Sequence, residues 1–343
     1  MFMNNEKTIF ELSVPGRKGF QFPDADVPET ELPAGLVRET LPMPELSELD
    51  VVRHYTRLSR LNYSVDSGFY PLGSCTMKYN PKVCEKVAAS AGFSQLHPLQ
   101  PIETVQGALV VLYEMQTILS EIGGMAAGSL TPAAGAQSEF CGIKMIAACL
   151  RARGQTQRKV MLIPDSAHGT NPASSVMSGF ECRPVRTNER GNIDLDDLSQ
   201  HLNDQLAGIM ITNPNTLGLF DENILEVTKR VHDAGGLVYG DGANMNALLG
   251  IVKPASLGID VMHYNLHKTF GTPHGGGGPG AGAVCCVAEL ADYLPGPIAA
   301  IIEEGEDGEP PLYGLIQPKK SIGMVRAFWG HFAIILRAYA YQY

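Results

Sequence analysis

Apolar positions recur at helical spacing over Glu48 to Leu61, Glu103 to Ile122, Gln137 to Ala152, Leu195 to Leu202 and Ile224 to Asp233, and that period predicts helices. Between them stand short, continuously apolar runs at Val160 to Ile163, Ile209 to Thr212, Leu237 to Tyr239 and Val261 to Tyr264. Such runs are expected of strands buried on both faces. Helix and strand patterns alternate from Val83 to about Pro295, which predicts an α/β fold with a mostly parallel sheet and helices on both faces. The first 45 or so residues break the pattern: Val27-Pro28-Glu29 and Leu41-Pro42-Met43-Pro44 interrupt any regular element. An arm that wraps a partner subunit and a loosely ordered tail both suit that composition. Ser321 to Tyr339 has the pattern of a helix. The expected divisions are therefore an arm and turn-rich segment over 1–81, a large α/β domain over 82–310, and a further C-terminal part over 311–343.

With 343 residues, 44% of them hydrophobic, the chain can bury a large core. Its formal charge of −10 argues against nucleic acid, which selects for clustered Lys and Arg. An anionic ligand then needs a local site, because the overall field repels it. The 7 cysteines include no Cys-x-x-Cys pair and make an odd total, the pattern of a reducing, cytoplasmic setting without a disulfide framework or zinc site. No run of 18 apolar residues offers a membrane span.

The chemistry-bearing residues stand where the predicted strands end. Lys268 lies in Asn265-Leu266-His267-Lys268-Thr269-Phe270, flanked by the hydrogen-bonding side chains of His267 and Thr269 and followed by the string Gly275 to Gly280. A lysine in such a place suits a Schiff base with an aldehyde cofactor, although most lysines are solvated surface charges. Asp241 ends the run Gly236 to Gly240 and enters Gly242-Ala243-Asn244, where ligands of open α/β sheets bind. Asp-Gly is equally a turn signal. His168, in Asp165 to Pro172, leaves another strand and can lie flat on a cofactor ring; a structural histidine is the plainer reading. Thr131 to Glu139 brings small residues, with Ala136, Gln137 and Ser138 among them, into a helix start, which suits a phosphate and also an ordinary cap. His263 and His267 are four apart but fall on a strand pattern, so no metal is expected. Gly275 to Gly280 satisfies Gly-x-Gly-x-x-Gly, yet Ala281 to Val287 reads as a strand where a dinucleotide site requires a helix.

Three longer strings complete the picture: Tyr70 to Pro81 (YPLGSCTMKYNP), Ser166 to Pro172 (SAHGTNP) and Thr272 to Gly280 (TPHGGGGPG). Together with Asn265 to Phe270 they resemble the P-protein family of the glycine cleavage system, glycine decarboxylase, and within it the C-terminal-half subunit. The similarity runs from about Ser59 to the C-terminus. It implies the aspartate-aminotransferase-like fold of the fold-type I enzymes that use pyridoxal 5'-phosphate. It also implies the activity of a glycine dehydrogenase (aminomethyl-transferring). Lys268 would then hold the cofactor covalently, Asp241 would keep the pyridine nitrogen charged, His168 would stack on the ring, and Asn215 and Thr216 would add polar contacts near cofactor or substrate. Carbon dioxide would leave glycine, and the aminomethyl group would pass to the lipoyl group of an H-protein. An N-terminal-half subunit 1 would complete a hetero-oligomer. Members of the family continue beyond the position of Tyr343, so the resemblance implies a chain that holds its cofactor but lacks substrate-closing residues, and exposed apolar surface from Met324 to Tyr339. A different fold-type I lyase or decarboxylase, or a non-catalytic partner-organising subunit, are the competing expectations.

Overall fold

The structure, a computed structural model, describes residues 6–68, 70–72, 75–97, 99–274, 280–306 and 308–343; for 70–72 and 75–77 it describes the backbone alone. Two compact units result, Met1–Tyr70 and Pro71–Tyr343. In the first, the described chain from Thr8 to Glu45 forms turns and irregular segments without helix or strand, and one helix, α1 (Glu48–Ser59), gives it regularity. Ser47 starts α1 with a reciprocal cap, its hydroxyl accepting from the Asp50 amide. Glu6 anchors the irregular segment by accepting from Arg57 at 2.6 and 2.8 Å and by contacting His54 Nδ1 at 3.1 Å. Phe20 and Phe22 remain exposed, ring against ring edge.

The second unit is a doubly covered sheet. Its strands in chain order are β1 (Ala127–Ser129), β2 (Val160–Pro164), β3 (Glu181–Val185), β4 (Leu206–Thr212), β5 (Leu237–Asp241), β6 (Val261–Asn265) and β7 (Gly282–Cys286). Their spatial order is β1-β7-β6-β5-β4-β2-β3. The pairs β3/β2, β2/β4, β4/β5 and β5/β6 are parallel, while β7 runs antiparallel between β6 and β1. The predicted parallel α/β sheet is thus present. Side chains alternate between two cores: Val238 of β5 belongs to one and Leu237 and Tyr239 to the other. Burial of each large apolar side chain contributes about 1.5–3 kcal/mol.

Helices α2 (Lys82–Ala88), α3 (Gln106–Gly123), α4 (Gly135–Ala152), α5 (Thr170–Met177), α6 (Leu195–Ser199), α7 (Ile224–Asp233), α8 (Leu266–Thr269) and α9 (Phe332–Gln342) connect or cover the strands. A hairpin, Ile298–Glu303 with Leu312–Ile316, packs beside α3.

Three expectations change in detail. The helix expected from Glu103 starts at Gln106, after a 3-10 turn over Ile102–Thr104, and the one expected to reach Leu202 ends at Ser199. The helix expected over Ser321 to Tyr339 forms only from Phe332, because Gly323 and Gly330 take φ of 99° and 88°, a left-handed backbone that a helix cannot contain. Its apolar residues Ile334, Ile335, Leu336 and Ala338 are buried, not exposed; Met324 and Phe328 before it do meet solvent. Gly275 to Pro279 and the side chains from Phe69 to Met77 lie outside the described residues, so the glycine string and most of the Tyr70 to Pro81 string have no structural account.

Candidate active site

Four neighbouring parallel strands end at one edge, and each delivers part of the site. β5 ends in Asp241, β6 runs into α8 with Lys268, β2 leads to His168, and β4 leads to Asn215 and Thr216. These residues border one open cleft of about 1260 Å³, with Ala136, Ala243, His267 and Thr269 also on its wall. Gathering ligand groups at the carboxyl ends of parallel strands is what an open α/β sheet does.

Asp241 sits among partners. Its Oδ2 accepts from Asn171 Nδ2 at 3.1 Å, its Oδ1 accepts from the Ala243 amide at 2.9 Å, and His263 Nε2 lies 3.6 Å from Oδ1. Burial pushes the Asp241 carboxyl up, but His263, the Ala243 amide, Asn171 and Lys268 together outweigh it and hold the group below the ordinary aspartate value. Behind it, Tyr239 Oη and His263 Nδ1 meet at 2.5 Å. Burial drives the Tyr239 hydroxyl well above its usual range, so it stays protonated. Burial pulls the His263 imidazole down against the opposing charge of Asp241, and its Nε2, 3.6 Å from that carboxylate, also lies 2.9 Å from Asn265 Nδ2. A carboxylate held ionised at the floor of a cleft suits a protonated ring nitrogen.

Lys268 is half-buried in the single turn of α8. Lys78 straddles it, its ammonium donating to the carbonyls of His267 at 2.6 Å and Thr272 at 2.7 Å. Burial and the neighbouring His274 depress the His267 imidazole to about 4. Among the described residues the hydroxyl of Thr269 is buried without a partner, as is that of Thr212 at the end of β4.

The phosphate candidates divide. The first turn of α4 has no side-chain cap, so the amides of Gly135, Ala136 and Gln137 are the ones a helix leaves unpaired, and Gly135 and Ala136 border the cleft. The side chains of Gln137 and Ser138 are not on the cleft wall. Gln137 accepts from the Ala133 amide and donates to the Val325 carbonyl, and Ser138 donates to the Ala134 carbonyl at 2.9 Å. Asn215 borders the cleft but spends its amide on its own loop, donating to the Gly191 carbonyl and accepting from the amides of Leu217 and Leu219. Thr216 is exposed beside it. Sequence reasoning did not single out Asn171, Tyr239, His263 or Lys78 for the site. Asn171 stands inside the Ser166 to Pro172 string, a signal that was available.

An open cleft at the switch edge of a mostly parallel sheet, with a lysine, a buried aspartate and an exposed histidine on its wall, defines a fold-type I pyridoxal-phosphate enzyme. Residues 22–317 match the family described as "Glycine cleavage system P-protein". The chain is 54% identical over 341 residues to the "Probable glycine dehydrogenase (decarboxylating) subunit 2" of Desulforamulus reducens, covering 98% of this chain and 69% of that protein. It is 52% identical over 343 residues to the protein of the same name from Thermococcus kodakarensis, covering 98% and 67%. In fold it is similar to a crystallised glycine decarboxylase (P-protein), with a TM-score of 0.72 at 22% identity over 90% of this chain and 70% of that one. It is also similar to a cysteine desulfurase of Escherichia coli, with a TM-score of 0.56 at 15% identity over 79% and 66%. The chain belongs to the glycine cleavage system P-protein family.

The family's cofactor is pyridoxal 5'-phosphate, and the residues fit it. An ionised, partnered Asp241, a half-buried Lys268, two buried hydroxyls unpartnered among the described residues and an uncapped helix start match in turn its ring nitrogen, aldehyde and phosphate.

Proposed function

We propose that this chain carries the pyridoxal phosphate of a glycine decarboxylase, expelling carbon dioxide from glycine and handing the aminomethyl group to the lipoyl group of an H-protein. It acts in the cytoplasm, in a hetero-oligomer with an N-terminal-half subunit 1. The observation that carries the reading is the meeting of Lys268, Asp241 and His168 on one cleft wall, from three different strands. Bound pyridoxal phosphate supplies an electron sink for the charge left when a carboxylate departs.

The chain's own residues do the rest. Lys268 forms the covalent link, with Lys78 fixing its loop through two carbonyls. Asp241 keeps a positive ring nitrogen favourable; its low carboxyl value and its donors Asn171 and Ala243 make it a fixed negative charge that needs no rearrangement during the reaction. The buried Tyr239–His263 pair backs it. Ala136, the first-turn amides of α4, Thr269, Thr216 and Ala243, on or beside the cleft wall, would hold the phosphate and the polar rim, and His168 would stack on the ring. The reduced-compartment assignment draws support from the free state of Cys84, Cys141, Cys149, Cys182, Cys285 and Cys286 among the described residues. Among the same residues no helix is long and apolar enough to cross a membrane.

The test is amino-acid selectivity. Glycine added to the chain loaded with pyridoxal phosphate is expected to change the cofactor's visible spectrum, and cysteine is expected to release no sulfide. Sulfide from cysteine without a glycine response would move the activity to a desulfurase. A loaded chain indifferent to every amino acid would make it a partner-organising subunit.

A further inference from the structure

Glu139 is a carboxylate on the cleft wall that the assignments above leave without a task. It is 2% exposed, its Oε1 has no hydrogen-bond partner among the described residues, and its Oε2 accepts the hydroxyl of Thr170 at 2.9 Å. On its other side Thr170 Oγ1 lies 2.9 Å from His168 Nδ1. A hydroxyl has one proton to give and lone pairs to receive with. While Thr170 gives that proton to Glu139, its oxygen can only accept from His168, so Nδ1 must carry hydrogen and Nε2 is left with a free lone pair. Turning the hydroxyl round would leave both oxygens of a buried carboxyl unpartnered among the described residues, whereas His168 is exposed and can turn to water. The Thr170 amide also donates to Nδ1, at 3.3 Å, and by itself favours the opposite tautomer; it competes with the chain through Glu139, whose two contacts of 2.9 Å are the shorter.

We propose that Glu139 is a positioning residue that acts through Thr170 to lock His168 in the Nδ1–H tautomer, so that His168 meets the bound amino acid at Nε2 as a proton acceptor. A buried aspartate fixes the histidine of a hydrolase triad by the same logic, with one hydroxyl fewer in the chain. The decarboxylase reading supplies only the molecule that His168 meets. The tautomer is a property of the cofactor-free chain.

The experiment is therefore done first without cofactor. The full chain is labelled with 15N in its 9 histidines, and His168 is assigned as the signal lost in His168→Gln. Long-range 15N–1H correlation of the neutral ring then reports which nitrogen is protonated. The expected result is Nδ1–H in the wild type and in Thr170→Ser, with a shift to Nε2–H in Thr170→Val and in Glu139→Leu, which has no acceptor. A wild-type ring protonated at Nε2, or a Thr170→Val ring unchanged from the wild type, overturns the proposal. In the assembled enzyme, Thr170→Val is expected to lower kcat about tenfold while KM for glycine stays within about twofold, and Thr170→Ser is expected to restore it. A KM change without a kcat change also overturns it. Failure of the decarboxylase reading would show separately, as a wild-type chain that does not respond to glycine while its His168 tautomer remains as expected.

Discussion

Where β5 and β6 end, the cleft is floored by Asp241 and His263 with Tyr239 behind them, and the three are 8%, 2% and 0% exposed. Where β2 and β4 end, it is fringed by His168 and Thr216, both open to solvent, on loops that their own side chains stiffen. The floor is built of groups that must keep one protonation state throughout, and burial among matched partners achieves that. The fringe is built of groups that must meet a ligand, and these cannot be enclosed before it arrives. Lys268, half-buried, stands between the two. The contrast teaches that in this site burial separates electrostatic work from contact work.

The sharpest way to break this division is at Lys268. Lys268→Ala is expected to lower glycine decarboxylation in the assembled enzyme by at least about a thousandfold while noncovalent retention of pyridoxal phosphate persists, since the floor and the phosphate rim are intact. Decarboxylation near the wild-type rate would place the covalent link elsewhere.

Asp241→Asn addresses the floor alone. The amide keeps the shape and loses the charge, so cofactor capture by Lys268 is expected to survive. Decarboxylation is expected to fall by about a hundredfold, on the order of 3 kcal/mol of transition-state stabilisation. Wild-type turnover in this variant would remove Asp241 from the mechanism.

A comparable energy should appear in the pH dependence of stability. His267 falls from 6.5 to about 4 on folding, because it is buried and faces His274. Between those values the unfolded chain binds a proton that the folded chain refuses, so stability rises with pH across the window and is lost as pH drops from 6.5 toward 4. At about 1.36 kcal/mol per unit the loss approaches 3 kcal/mol. Denaturant titrations of His267→Gln should show a flatter slope over that range; an unchanged slope would mean that the imidazole is not shielded.

The smallest effect belongs to the fringe. Asn215→Ala removes one donated and two accepted hydrogen bonds from a surface loop and is expected to cost about 1–2 kcal/mol of stability. Its main functional effect should be a raised KM, seen in steady-state kinetics, with kcat changed by less than about threefold. A kcat loss as large as that of Asp241→Asn would erase the distinction between fringe and floor.

The parts of the fold legible in the sequence are those where one property decides. Helix α7 appears over its predicted span because its apolar stripe is strong, and β5 and β6 were readable as unbroken apolar runs ending in polar residues. The edge strand β3 escaped notice because Glu181, Arg183 and Pro184 are tolerable only where one side of the strand lacks a neighbour. The segment before α9 misled because apolar spacing continued through two glycines whose left-handed backbone the sequence does not announce. Asp241, His168 and Lys268 could be found because each follows directly on a strand. Tyr239, His263 and Glu139 could not, since their roles depend on which strands and helices become neighbours, and 24 residues separate Tyr239 from the histidine that it contacts. Gln137 and Ser138 are read as phosphate contacts from the backbone amides of a helix start; their side chains brace that start against Ala133, Ala134 and Val325, and the Gln137 amide stays among those that the helix leaves unpaired.

The central claim is that Lys268 is the residue that captures the cofactor. Incubation of the chain with pyridoxal phosphate, reduction with borohydride and peptide mapping test it directly. The account predicts one stoichiometric pyridoxyl adduct, on Lys268 in the segment from Asn265 to Phe270. A principal adduct on Lys78 or on any other lysine, or no stable adduct at all, would contradict it.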